Sequence, residues 1–306
     1  MDAWLAQQNY ECFPQLPLKL KKKKKDGSPQ AERGKYFPSL SRATELVISV
    51  FSEEDFDHFS FCYSNMRPTI YLFGDSITEA SFADGGWGAA LANHFCRTLD
   101  VVLRGYSGYN TRWALKVLDR VFPTVGHDGA AAAPPVAVTV FFGANDACLP
   151  DRYAAFQHVP LDEYKQNLHS IVSSLKKRWP KTLILLITPP PIDEDGRLRH
   201  PYVENPLGLP ERTNEAAGSF AKACVETAEE CGIPVVDLWT RMQQYPDWCK
   251  AYLSDGLHLT KEGNKVVFEE VMKKLEERGL SLEKLKADLP LFADIDHDDP
   301  LKAFQQ

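Results

Sequence analysis

Four short clusters of reactive or small polar residues punctuate the chain: Gly74-Asp75-Ser76-Ile77-Thr78-Glu79, Gly105-Tyr106-Ser107-Gly108-Tyr109-Asn110-Thr111, Gly143-Ala144-Asn145-Asp146 and Asp255-Gly256-Leu257-His258. A serine hydroxyl becomes a useful nucleophile when a nearby base takes its proton during attack. Imidazole suits that task because it titrates near neutrality, and a carboxylate on its other nitrogen fixes the tautomer. Asp255 and His258 lie three positions apart, so one turn can supply both. The tetrahedral intermediate of such a reaction needs preorganised N–H donors. The backbones of Ser76 and Gly108 and the side-chain amide of Asn145 are candidates. Taken singly, each residue has a plainer reading. Ser76 can cap a helix, as can Asn145 or Asp146. Gly108 can be a turn glycine, and His258 a surface histidine. Asp75, beside Ser76, points its side chain the other way by strand alternation, which suits a structural hydrogen bond. Glu79 and Asp84 are also read as structural.

The elements that must position these clusters alternate regularly. Apolar, β-branched runs occupy Thr69–Phe73, Val101–Leu103, Val136–Phe142, Leu183–Ile187 and Ile233–Val236. Runs without polar alternation suit strands buried on both faces of a parallel sheet. Between them, Leu161, Tyr164, Leu168, Ile171, Val172, Leu175 and Trp179 repeat at helical spacing. Glu211–Cys231 reads as another helix, stopped by Gly232, and Val267, Val271 and Leu275 mark a last one ending near Gly279. Thr124–Pro135 reads as a flexible loop. The expected fold is α/β, a three-layer α/β/α sandwich around a five-stranded parallel sheet. Ligands of such sheets bind beyond the carboxyl ends of the strands, and the first three clusters directly follow strand-like runs.

With all four blocks present in order over residues 66–306, the chain resembles the SGNH hydrolases, also called GDSL esterases/lipases. Ile70 to Glu79, Arg104 to Trp113 and Phe142 to Pro150 look most like the isoamyl acetate-hydrolysing esterase-like group. The resemblance implies a flavodoxin-like fold and a serine esterase acting through an acyl-serine intermediate. It places the nucleophile on Ser76, the second-block glycine on Gly108, the third-block asparagine on Asn145, and the acid and base on Asp255 and His258. It implies small-molecule carboxylic ester substrates with short to medium acyl chains, acetyl esters first, and no cofactor. Carbohydrate deacetylase and lysophospholipase activities occur on related sites, and a non-catalytic flavodoxin-like binding module is the rival from another class.

Composition narrows the field further. With 44% hydrophobic and 25% charged residues among 306, the chain has enough apolar material for one large domain with a buried core. Residues 1–65 hold equal numbers of basic and acidic side chains, so the net charge of −7 resides in residues 66–306. That is the wrong sign for a nucleic-acid binder. Lys21–Lys25 followed by Asp26-Gly27-Ser28-Pro29 predicts disorder, so residues 1–65 are read as an N-terminal extension. Met1–Gln30 lacks the apolar stretch of a secretory signal, and no apolar run is long enough to span a membrane. Seven scattered cysteines with no C-x-x-C pair suggest neither a disulfide framework nor a zinc site, which points to a reducing compartment, the cytosol. Asp294–Asp298 imitates the start of a calcium loop, but Asp299 and Gln305 stand where Gly and Glu are required, so no metal is expected. A Gly-x-Ser-x-Gly elbow is absent, against an ordinary α/β-hydrolase. Trp87, Trp113 and Trp239 are candidates for an acyl pocket, though such residues more often fill a core. The oligomeric state is left open.

Overall fold

The computed structural model describes residues 67–122, 133–202 and 204–305. The extension 1–65 and most of the loop expected at Thr124–Pro135 lie outside the described residues. Five strands, β1 (Thr69–Gly74), β2 (Asp100–Gly105), β3 (Ala137–Phe141), β4 (Leu183–Ile187) and β5 (Val235–Val236), pair in parallel in the order β2-β1-β3-β4-β5. This is the flavodoxin-like doubly wound order, whose crevice opens where neighbouring connections diverge, between β1 and β3.

Alternate residues of each strand serve opposite faces, and both faces are covered. Ile70, Leu72, Leu185 and Ile187 share one core with α2 (Trp87–His94) and α9 (Lys261–Glu277) through Leu91, Val267, Val271 and Leu275. Phe73, Val138, Val140, Ile184 and Leu186 share the other with α3 (Thr111–Val121), α4 (Leu161–Arg178) and α6 (Asn214–Cys231). Burial on both sides is why the strands read as unbroken apolar runs. Short helices α1 (Ser76–Glu79), α5 (Glu194–Arg199), α7 (Leu238–Gln243) and α8 (Trp248–Tyr252) complete the set that bears on the site.

Two boundaries and the placement of two tryptophans bear on the sequence reading. The last strand keeps only Val235 and Val236, because Gly232 closes α6 in the left-handed region at φ +63° and Pro234 has no N–H to give to a ladder. Helix α6 starts at Asn214, capped by the Thr213 side chain, so Glu211 and Arg212 precede the helix. Trp87 is wholly buried in the core, whereas Trp113 is half-buried and its ring stacks toward exposed Phe156. Among the described residues no helix is long and apolar enough to cross a membrane.

Candidate active site

Ser76 sits at the turn from β1 into α1. Gly74 permits that turn, since a methyl group there would lie 2.6 Å from the Phe141 carbonyl oxygen and overlap the Thr78 side chain. The cap of α1 is Asp75, whose Oδ1 accepts the Ile77 N–H at 3.0 Å. Ser76 is therefore the first helical residue, its hydroxyl is free of capping duty, and its own N–H bonds to no described residue. Asp75 is almost wholly buried, and burial pushes its carboxyl up to about 6 against the pull of the Ile77 amide and the charges of His258 and Arg212.

Asp255 and His258 come from one tight turn after α8. An antiparallel bridge between Leu253 and Leu259 closes the turn, and Gly256 takes φ +88° at its tip. Asp255 Oδ1 accepts the N–H groups of Leu257 and His258 at 3.0 and 2.8 Å, which aims Oδ2 at the imidazole. His258 Nδ1 donates to that oxygen at 2.8 Å, because an ionised carboxylate can only accept. Nε2 is left as the acceptor for the Ser76 hydroxyl at 2.9 Å. Burial alone would raise the Asp255 carboxyl. The hydrogen bonds and charge of His258, with the Arg197 guanidinium, outweigh it and hold the group well below the usual carboxylate range.

The second and third blocks meet beside Ser76. Gly108 adopts φ +77°, a region that disfavours a side chain, and its N–H bonds to no described residue. Asn110 caps α3 through its side chain, so the capping duty in this block belongs to Asn110. Residues 144–147 form a turn with no helix after them, which removes the capping reading of Asn145 and Asp146. Asn145 Nδ2 donates one hydrogen to the Tyr109 carbonyl at 2.8 Å and keeps a second. Gln157 Nε2 ties the blocks together, donating to the Gly108 carbonyl at 2.9 Å and to Asn145 Oδ1 at 3.2 Å. Asp146 is fully buried and accepts from the Thr111 N–H at 3.0 Å, and burial pushes it up to about 7. Of the five residues singled out in the sequence, Ser76, His258 and Asp255 are joined by hydrogen bonds, Gly108 and Asn145 are joined to each other through Gln157, and Glu79 of α1 ties the Ser76 helix to the loop carrying Gly108.

The sequence profile of the GDSL-like lipase/acylhydrolase family matches residues 70–271, which runs from within β1 into α9 and includes all five residues. The chain belongs to this family. A GDSL esterase/lipase of Arabidopsis thaliana is 67% identical over 241 residues, 79% of this chain and 99% of that protein. The human isoamyl acetate-hydrolyzing esterase 1 homolog is 43% identical over 241 residues, 75% of this chain and 94% of that protein. The lipase/acylhydrolase from Enterococcus faecalis, at 24% identity and TM-score 0.54 over 72% of this chain and 98% of that one, shares the fold. This GDSL protein is a carboxylic ester hydrolase, which sets aside the non-catalytic binding module.

Several residues of this GDSL site were not singled out by sequence. The hydroxyl of Tyr202 lies 3.0 Å from His258 Nδ1 and 3.2 Å from Nε2. Gln157 bridges two blocks, and Arg197, Glu211 and Arg212 form a buried ion cluster behind them. Charged and amide residues scattered over this range resemble ordinary helix surface in a sequence; no spacing marks them. Glu79 and Asp84 serve structure as expected. Glu79 holds the second-block loop through the Ser107 N–H at 2.7 Å, and Asp84 pairs with Lys261 at the start of α9.

Proposed function

We propose that Ser76 is the nucleophile of this esterase, with His258 as general base and then general acid. Asp255 orients the imidazole and stabilises its cation. The backbone N–H groups of Ser76 and Gly108 and the Asn145 amide receive the oxyanion. Attack forms an acyl-serine and releases the alcohol; water, activated by the same imidazole, then releases the acid. The observation that carries this reading is the hydrogen-bonded series Ser76 Oγ, His258 Nε2, His258 Nδ1 and Asp255 Oδ2, with links of 2.9 and 2.8 Å.

The preferred substrates in this reading are acetyl and other short- to medium-chain esters of small alcohols. The identity to isoamyl acetate-hydrolyzing esterase homologs over most of both chains supports that choice. The catalytic domain is taken as residues 66–306, with 1–65 an extension outside the catalytic unit. The family match within 70–271 supports that division. A reducing, cytoplasmic setting is consistent with every described cysteine being a free thiol.

Ser76→Ala tests the assignment. Hydrolysis of p-nitrophenyl acetate and labelling by a serine-directed fluorophosphonate should both vanish in a folded protein. Equal turnover by that variant would remove Ser76 from the mechanism. A panel varying acyl length and alcohol, including acetylated sugars and lysophospholipids, separates the small-ester reading from deacetylase or lipid-degrading activity.

A further inference from the structure

Three charged side chains, Arg197, Glu211 and Arg212, lie inside the enzyme at 1% exposure each. Glu211 Oε1 accepts from Arg197 Nε at 2.8 Å and from Arg212 Nη1 at 2.6 Å. In one direction the series continues from Arg197 Nη1 to Asp255, reaching its carbonyl oxygen and its Oδ2 at 3.0 Å each. In the other, Arg212 Nε donates to the Ala144 carbonyl at 2.8 Å and Nη2 donates to Asn145 Oδ1 at 2.9 Å. The Glu211 carbonyl also accepts the Leu149 N–H at 2.9 Å, fastening the far side of the third-block loop.

Buried ion clusters are a poor source of net stability, because desolvation offsets most of the attraction and apolar side chains of similar size can do as well. What guanidinium and carboxylate supply is direction. A planar fork of donors fixes its acceptors in angle as well as distance. At Asn145 the consequence is chemical. Arg212 has no acceptor atom, so the amide must turn Oδ1 toward it and present Nδ2 elsewhere. The same charge draws electron density from Oδ1 and strengthens the Nδ2–H donors. At the other end, Arg197 holds Asp255 at both its main chain and its carboxylate. Its Cζ lies 4.6 Å from the centroid of the Tyr202 ring, the residue that flanks His258.

We propose that Arg197, Glu211 and Arg212 are positioning residues for ester hydrolysis: a buried charge series that locks the oxyanion-binding amide of Asn145 and the acid Asp255 into one frame. This rests on the catalytic roles assigned above. None of the three touches the reacting atoms, and their effect runs through Asn145 and Asp255.

Arg212→Lys tests the link. Lysine keeps the positive charge beside Glu211, but one ammonium cannot serve Ala144, Glu211 and Asn145 together. In the full chain, kcat for p-nitrophenyl acetate should fall about tenfold or more while KM moves less than about threefold, the split expected when a transition-state donor is misaimed. In an Asn145→Ala background the same substitution should cost less than about twofold, since the amide it positions is gone. Full kcat in Arg212→Lys, or an equal loss in both backgrounds, overturns the proposal. Should Arg212→Lys not fold, as judged by circular dichroism and melting, Glu211→Gln takes its place, with a loss in the Asn145→Ala background that is smaller than in the wild-type background but not abolished, because the Arg197 branch to Asp255 is still disturbed. Turnover surviving in Ser76→Ala would instead remove the catalytic reading beneath it, an outcome read independently of the cycle.

Discussion

The carboxylate of Glu79, at the end of the short helix that begins with Ser76, accepts the backbone N–H of Ser107 at 2.7 Å. Gly105 lies against the same residue so closely that a methyl group would overlap the Glu79 backbone nitrogen. The helix carrying the hydroxyl and the loop carrying Gly108 are therefore built as one piece. An exposed glutamate in this position contributes little to global stability but sets where the Gly108 N–H points.

Glu79→Ala should accordingly lower kcat for p-nitrophenyl acetate by about tenfold, since displacements near 1 Å at a reacting centre are costly. Its unfolding free energy should change by less than about 3 kcal/mol, the upper end for one hydrogen bond to a charged group. Glu79→Gln keeps an acceptor oxygen and should stay near wild type. Equal impairment of both variants would show that the carboxylate's charge, and not its hydrogen bond, matters.

Much of this site was legible in the sequence, and the unreadable part has a physical cause. Strands announced themselves because both faces are buried, as Ile70 and Leu72 on one side and Phe73 on the other illustrate. The polar blocks stood out by following those strands. Helix α2 did not stand out, since its first N–H, that of Trp87, is satisfied by Asn264 Oδ1, 177 residues away. Glu211 read as the start of a helix, because a charged residue before an amphipathic stretch looks like a solvated first turn. Its burial between two arginines, one of them 14 residues earlier, depends on packing that no local pattern encodes.

Asn145 offers a separation between fold and chemistry. Asn145→Ala removes a proposed oxyanion donor and should lower kcat by about 10²–10³-fold. Asn145→Asp keeps an oxygen for Arg212 Nη2, now at 2.9 Å from Oδ1, but replaces Nδ2 with a second acceptor. That oxygen would repel the developing oxyanion, so Asn145→Asp should be at least as inactive as the alanine variant. An aspartate variant more active than the alanine variant would argue against oxyanion binding by this side chain.

Stability should depend on pH through two buried carboxyls that burial raises, Asp75 and Asp146. Asp75 and Asp146 are raised from an ordinary 3.8 to about 6 and about 7 by burial. The folded state therefore binds protons that the unfolded chain releases, and stability is lost as pH rises through 6 and 7. Asp255 acts oppositely; its depressed value favours the fold above the ordinary carboxylate range and is lost only in strong acid. Between pH 8 and pH 5 the wild type should gain about 2–3 kcal/mol more than Asp146→Asn, from roughly two pH units of linkage at one site. Urea midpoints measured across that interval check it; parallel curves for the two proteins would mean that Asp146 keeps its charge throughout.

Asp255→Asn tests how the imidazole is oriented. In the wild type, Oδ2 can only accept, so Nδ1 must carry hydrogen and Nε2 must face Ser76 with its lone pair, at 2.9 Å. An asparagine amide can instead donate to Nδ1, which favours the tautomer with hydrogen on Nε2, unable to take the serine proton. Loss of the negative charge also removes the partner of the imidazolium formed during attack. By analogy with serine triads in general, kcat should fall by about 10³–10⁴-fold. The main-chain bonds to Leu257 and His258 need only one oxygen, which asparagine retains, so the turn itself should persist. The fluorophosphonate should still label Ser76 in this variant, far more slowly, and with the rate recovering as pH is raised and hydroxide assists deprotonation. Wild-type labelling rates at neutral pH would show that Asp255 does not control the protonation of His258.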